Sequence, residues 1–241
     1  MSSTVDQRAP EAPDIREEAL AGWRTVLPAG LAVLPLGIAL GVLVVQSGLA
    51  WWWGPVLAAV VFAGSLEFLL VGMFAAAAPL GQIALSSLLV NFRHAFYAFS
   101  FPLHRIHGRG WRAYSTFALT DESYALTATP QAQGWSRARI IAIQAGFHLC
   151  WVLSVLVGSA VGSVIPPEVV GLDFAVTALF VVLTIEAWKV QRNVPGPVLA
   201  LVSAAVALTV APGSMLLVAM SLFVGSLVVL HLVTKGGAHR G

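Results

Sequence analysis

Charge is the scarcest thing in this chain. Only 10% of its 241 residues are Asp, Glu, Lys or Arg, and 58% are hydrophobic. A soluble globular domain carries about 25% charged residues, so the composition excludes one. Mean hydropathy is +0.86. Cysteine is nearly absent as well. Cys150 stands alone, so it cannot form an intramolecular disulfide, and one thiol makes no metal site. It reads as a helix-packing residue. The period-2 alternation of an outer-membrane barrel is missing. Residues 1–22 lack the charged-then-apolar layout of a signal peptide. There is no phosphate-cradling glycine loop ending in Lys-Ser/Thr and no His-Glu-x2-His. No metal, no cofactor and no enzymatic activity are therefore expected. Ser65 and His94 would make an intramembrane hydrolase dyad only if folding joined them, and nothing in the sequence does. The net charge of +2 is too small to suggest nucleic acid.

What is abundant is apolar sequence in runs of about 18–25 residues, long enough to cross a hydrocarbon core of about 30 Å as helices. The expected fold is an all-α integral membrane protein with spans over 25–45, 56–78, 81–103, 138–164, 172–189, 195–211 and 214–233. Gly48, Gly54-Pro55, Pro79, Pro166-Pro167, Pro195-Gly196-Pro197 and Pro212-Gly213 separate them. Residues 1–24 read as a flexible N-terminal tail, 25–233 as one transmembrane domain and 234–241 as a short cytoplasmic tail.

Segment 114–127 is too short to cross and carries Asp121 and Glu122 at its centre. If it dips in and returns, Arg105, Arg109, Arg112, Arg137, Arg139, Lys189, Arg192, Lys235 and Arg240 all fall on one side. The excess of Lys and Arg in cytoplasmic loops favours that arrangement. It gives seven spans, one re-entrant or interfacial segment, and an N-terminus on the opposite side from those loops. The tail residues Arg8, Arg16 and Arg24 oppose that last point.

A weak internal repeat is also visible. Ser65-Leu66-Glu67-Phe68 resembles Gly171-Leu172-Asp173-Phe174, and Gly37-x3-Gly41 resembles Gly158-x3-Gly162. With three spans per half the repeat would be inverted, as in many secondary transporters. By themselves the Gly-x3-Gly pairs signal only close helix packing.

The polar residues inside the spans carry the functional argument. Arg93 lies in Val90-Asn91-Phe92-Arg93-His94-Ala95-Phe96-Tyr97, flanked on both sides by apolar sequence. A cation at the bilayer centre costs roughly 2.5–3.5 kcal/mol even on the lenient insertion scale. On one helix Ser86, Val90, Arg93, Tyr97 and Ser100 share a stripe, with Asn91 and His94 on the stripe beside it. Phe92, Phe96 and Phe99 fall on the other side. Either Arg93 or Asn91 holds a substrate carboxylate, or Arg93 is a switchable ion-pair partner, or a permanent bridge to Glu67 fixes helix packing. Glu67, mid-span beside Gly64 and Ser65, is a candidate proton-binding group. Thr120 reads as an N-cap with Asp121 and Glu122 in the first turn behind it. Those acids either face a permeation path or merely cap an interfacial helix. Asp173, soon after Pro166-Pro167, is either a helix cap or a transport residue. His148 reads as packing.

Phe62-Ala63-Gly64-Ser65-Leu66-Glu67-Phe68, the Arg93 motif, Leu119-Thr120-Asp121-Glu122 and Gly171-Leu172-Asp173-Phe174-Ala175 occur in that order. Together they resemble the AzlC family, the large subunit of branched-chain amino acid exporters, over roughly residues 25–233. The resemblance implies proton-driven export of leucine, isoleucine, valine and other apolar amino acids. It implies a multi-pass protein of the bacterial inner membrane and a small separate partner of the AzlD type. The family commonly has Gln where this chain has Glu67, which moves weight for the coupling proton to Asp121, Glu122 and Asp173. The rival expectations are a channel subunit and an assembly subunit without a transport site.

Overall fold

The computed structural model describes residues 14–165, 181 and 195–238. Among these the regular structure is helical throughout. Two continuous helices are long and apolar enough to cross a membrane, α1 (Ile15–Gln46) and α8 (Arg137–Val164). Their packing organises the rest.

Helix α1 starts earlier than the composition suggested. Asp14 accepts the Arg16 N–H at 3.0 Å, and Glu17 and Glu18 occupy the first turn. A capping acid followed by carboxylates suits the positive end of a helix. Residues 15–24 are therefore the first turns of α1 and not part of a tail.

Helices α1 and α8 run parallel. Gly22 lies against Arg139 and Ala142, Gly30 against Cys150, Gly37 against Ser154, and Gly162 against Val42 and Val45. The two Gly-x3-Gly pairs meet across this seam. A Cβ on Gly41 would collide with the Val155 carbonyl, and one on Gly158 with the Ile38 carbonyl. Small residues let the two backbones come this close.

Two corrections follow. Equivalent helices of an inverted repeat run antiparallel, so the pair carrying the matching Gly motifs does not fit the inverted plan. The other half of that repeat, 171–174, lies outside the described residues. Second, the start of α1 sits at the same end as the basic loops. Glu18 Oε2 accepts from the Ser136 N–H at 3.3 Å, and Arg139 Nη2 donates to Thr25 Oγ1 at 3.4 Å. Every described arginine except Arg93 gathers at this end, which overturns the expected opposite placement of the N-terminus. The tail arginines gave the correct signal.

The segment between α1 and α8 is built from interrupted helices. Expected span 56–78 is split into α2 (Trp53–Val60) and α3 (Gly64–Ala75), and 81–103 into α4 (Leu80–Asn91) and α5 (Arg93–Ser100). Segment 114–127 falls on α6 (Arg109–Phe117) and α7 (Asp121–Thr127). Phe92 keeps helical dihedrals (φ −55°, ψ −30°), so α5 continues the direction of α4. The break between α2 and α3 is a reversal, with Phe62 at φ 46° and Ala63 at φ −144°.

The ends of these segments decide their topology. Gly54 packs on Ser159, near the far end of α8, and Phe62 stacks on His148 at mid-helix (4.3 Å). Phe101 and Ile106, just past α5, pack with Ile140 at the basic end. Helix α4 therefore begins at the far end, where α1 also finishes. The α2–α3 segment enters and leaves there as a dip and not a crossing. At the basic end, Arg105 Nη1 donates to the Ala132 carbonyl (2.9 Å) and Arg137 Nη1 to that of His107 (3.2 Å). These bonds tie the two ends of α6–α7 together, so it too is re-entrant, from the other side. The tips meet, with Phe62 and Phe117 ring centroids 6.1 Å apart.

Helices α9 (Pro195–Val210) and α10 (Met215–Ala238) correspond to the last two expected spans and pack on each other, with α10 also touching α4. Expected span 172–189 lies outside the described residues.

A cavity where three helix breaks meet

Each of the three breaks places the start of a helix on one cavity of about 240 Å³. Gly64 and Ser65 open α3, Arg93 opens α5, and Asp121 and Glu122 open α7; all five line it. The first turn of α3, which follows the Phe62–Ala63 reversal, directs the positive end of its dipole toward it. Helix α7 begins with a capping box: Thr120 Oγ1 accepts the Ser123 N–H at 3.4 Å, and Ser123 Oγ accepts the Thr120 N–H at 3.0 Å. That reciprocal pair satisfies two backbone donors that would otherwise be stranded. Val33, Leu36, Phe68, Phe147 and Trp151 supply the apolar wall.

Arg93 and Asp121 are the charged centre. Arg93 Nη2 lies 3.0 Å from Asp121 Oδ2 and donates to Ser65 Oγ at 2.8 Å. Their side chains remain 44% and 40% exposed, so the pair faces open space and is not sealed in packing. Tyr97 donates to Asp121 Oδ1 at 2.7 Å, and its ring stacks on Tyr124 at 4.4 Å. Tyr124 OH is 2.7 Å from Ser100 Oγ. One acid therefore joins α5 to α7, while Ser65 brings in α3.

Glu67 is not the partner of Arg93, so the permanent Arg93–Glu67 bridge is ruled out in this arrangement. It is fully buried (0% exposed) behind the cavity wall. Its Oε1 accepts from the Ala63 N–H at 2.8 Å and from Trp151 Nε1 at 3.1 Å, with Oε2 3.2 Å from the same indole nitrogen.

The fold joins the remaining expected residues unevenly. Thr120, Asp121 and Glu122 line the cavity with Arg93, and Tyr97 reaches it through Asp121. Asn91 and His94 stand beside it: the Asn91 carbonyl lies 3.1 Å from His94 Nδ1, and the ring of His94 meets Tyr97 edge-on at 5.4 Å. The side-chain oxygen of Asn91 is buried without a hydrogen-bond partner. Asp173 lies outside the described residues. Phe92, Phe96 and Phe99 point outward, Phe99 at 86% exposure, as their helix face suggested. Phe68 stood in a quoted motif but was given no role, and sequence reasoning missed Trp151, Phe147, Val33 and Leu36. Each is an ordinary apolar residue on an apolar helix, and no local signal distinguishes it from lipid-facing neighbours.

Interrupted helices around a charged pair, in an otherwise apolar bundle, define a membrane protein of transport type. Comparison with known proteins names the family. The AzlC protein family model matches residues 28–165, a stretch that includes all three breaks. The branched-chain amino acid transport protein AzlC of Bacillus subtilis is 31% identical over 189 residues, covering 74% of this chain and 72% of the relative. The chain belongs to the AzlC family. An uncharacterized membrane protein of Helicobacter pylori is 34% identical over 74% of this chain and 79% of its own length. The inner membrane protein YgaZ of Escherichia coli is 24% identical over 80% of this chain and 81% of the relative. No solved structure matches the chain.

Proposed function

We propose that the protein is a secondary transporter that exports branched-chain and other apolar amino acids across the bacterial inner membrane, coupled to the proton gradient. The observation that carries this reading is the Arg93–Asp121 pair, half-open to an apolar-walled cavity. A zwitterion with an apolar side chain matches each part. Its carboxylate replaces Asp121 on Arg93 with help from Ser65. Its ammonium takes the freed carboxylate of Asp121 or that of Glu122. Its side chain lies on the apolar wall. The cavity is smaller than the roughly 300–1,000 Å³ typical of drug-sized ligands, and suits something the size of an amino acid. The Bacillus subtilis relative's name points to the same substrate class.

Asp121 and Glu122 are the first candidates to carry the coupling proton, since both face the cavity, and Asp173 joins them by its motif. Re-entrant tips meeting at mid-depth from opposite sides suit alternating access about a central site. The arginine-rich end lies in the cytoplasm by the charge rule for loops. A small membrane subunit of the AzlD type completes the exporter.

Radiolabelled leucine efflux from cells expressing the chain, with and without that subunit, tests the reading. Efflux is expected to depend on Arg93 and to collapse with an uncoupler. Normal export by Arg93→Gln sinks the proposed site. Efflux that ignores the uncoupler marks a channel instead.

A further inference from the structure

The mechanism above leaves Glu67 without a task, although it is the one carboxyl among the described residues that is wholly buried. Its surroundings suggest what it does. Both oxygens are directed at one group, the indole N–H of Trp151 (3.1 and 3.2 Å). The third contact, from the Ala63 N–H, anchors the carboxyl to the first turn of its own helix. Glu67 and Trp151 thus tie α3 to α8 across 84 residues of sequence. The indole ring also lies against Gly64, where a Cβ would sit 3.1 and 3.2 Å from two ring carbons. The ring is fixed by the carboxyl at its nitrogen and by close contact with Gly64, and it lines the cavity while the carboxyl does not.

We propose that Glu67 is a positioning residue that fixes the indole of Trp151 as the cavity wall facing the substrate's side chain, so that the pair sets which apolar side chains are accepted. This rests on the transport reading and deepens it. A large rigid wall whose only polar atom is tied back excludes bulky side chains and stays fully apolar toward a leucine-sized one. Without the carboxyl, the ring is free to rotate and its N–H turns toward the substrate.

The test is equilibrium binding of leucine and of phenylalanine to the detergent-purified full chain. Glu67→Leu is expected to lower the ratio of leucine to phenylalanine affinity roughly tenfold, the scale of one lost orienting hydrogen bond. Glu67→Gln, which retains a carbonyl acceptor for the indole, is expected to recover most of that ratio. Because Glu67→Leu strands two buried donors, Trp151→Phe is the companion variant. It keeps an aromatic ring, removes the tether, and should lower the ratio in the same direction. An unchanged ratio in Glu67→Leu or in Trp151→Phe overturns the proposal, as does a Glu67→Gln protein no more selective than Glu67→Leu. Arg93→Gln, run in parallel, separates the two levels. Normal leucine binding there removes the transport site itself. Lost binding there, with unaltered selectivity in the Glu67 and Trp151 variants, removes only this inference.

Discussion

The α1–α8 seam and the cavity beside it use opposite means to build one molecule. Along the seam two continuous helices touch through glycine, with backbone hydrogen bonds made inside each helix except where Pro28 and Pro35 of α1 carry no N–H. At the cavity three helices are interrupted, and the freed backbone groups and polar side chains answer one another. The seam tolerates no added atoms, whereas the cavity needs particular ones. A membrane protein can place non-helical backbone at depth only where protein or water surrounds it. The continuous pair provides that shelter, and the broken helices exploit it.

The contrast can be broken from either side. The largest effect is expected at the seam. Gly158→Leu drives a side chain into the Ile38 backbone, where even a Cβ would lie 2.7 Å from Cα. Backbone cannot step aside as a side chain can, so the cost is about 3 kcal/mol or more. The expected outcome is loss of a monodisperse peak on size-exclusion chromatography in detergent. Arg93→Gln should behave in the reverse way, inserting and purifying normally while transport fails. A hydrogen bond to a charged group is worth about 1.5 kcal/mol or more, so loss of the guanidinium that would hold the substrate carboxylate should lower leucine counterflow in proteoliposomes at least roughly tenfold.

Smaller changes sharpen the comparison. Tyr97→Phe removes the 2.7 Å bond to Asp121 and leaves the ring stack on Tyr124 in place. A hydrogen bond to a charged group is worth about 1.5 kcal/mol or more, so the apparent leucine affinity should drop roughly tenfold, with thermal stability little altered. The smallest effect belongs to a glycine outside the seam. Gly72 sits in α3, and a Cβ there would find nothing within 4 Å. Gly72→Ala should raise stability by about 0.4–1 kcal/mol, seen as a slightly higher midpoint of thermal unfolding. A destabilised Gly72→Ala would mean that small residues matter beyond the α1–α8 contact.

Much of the site was legible because lipid makes polarity expensive. Arg93, Glu67, Asp121 and Glu122 stand out in apolar sequence for that reason, and the fold gathers Arg93, Asp121 and Glu122 on one cavity. Thr120 could be read as a cap because capping is local chemistry. The pairing of charges could not be read: the sequence suggested Glu67 as the fixed partner of Arg93, and the fold pairs it with Asp121 instead, the α2–α3 reversal having turned Glu67 away. Hydropathy also cannot tell a helix that crosses from two short ones that meet and turn back, because both are equally apolar. That is why 56–78 looked like a span.

The amino-acid sequence alone determined that this is a helical membrane protein, which residues within it are too costly to lack a purpose, and where its glycines bring helices together. Only the tertiary structure decided the parallel seam, the two opposed dips, the choice of Asp121 for Arg93 and the placing of Trp151 beside Glu67. The first set follows from what each residue pays on leaving water, a property it carries by itself. The second depends on which distant segments share a depth, and no residue holds that information until the chain has packed.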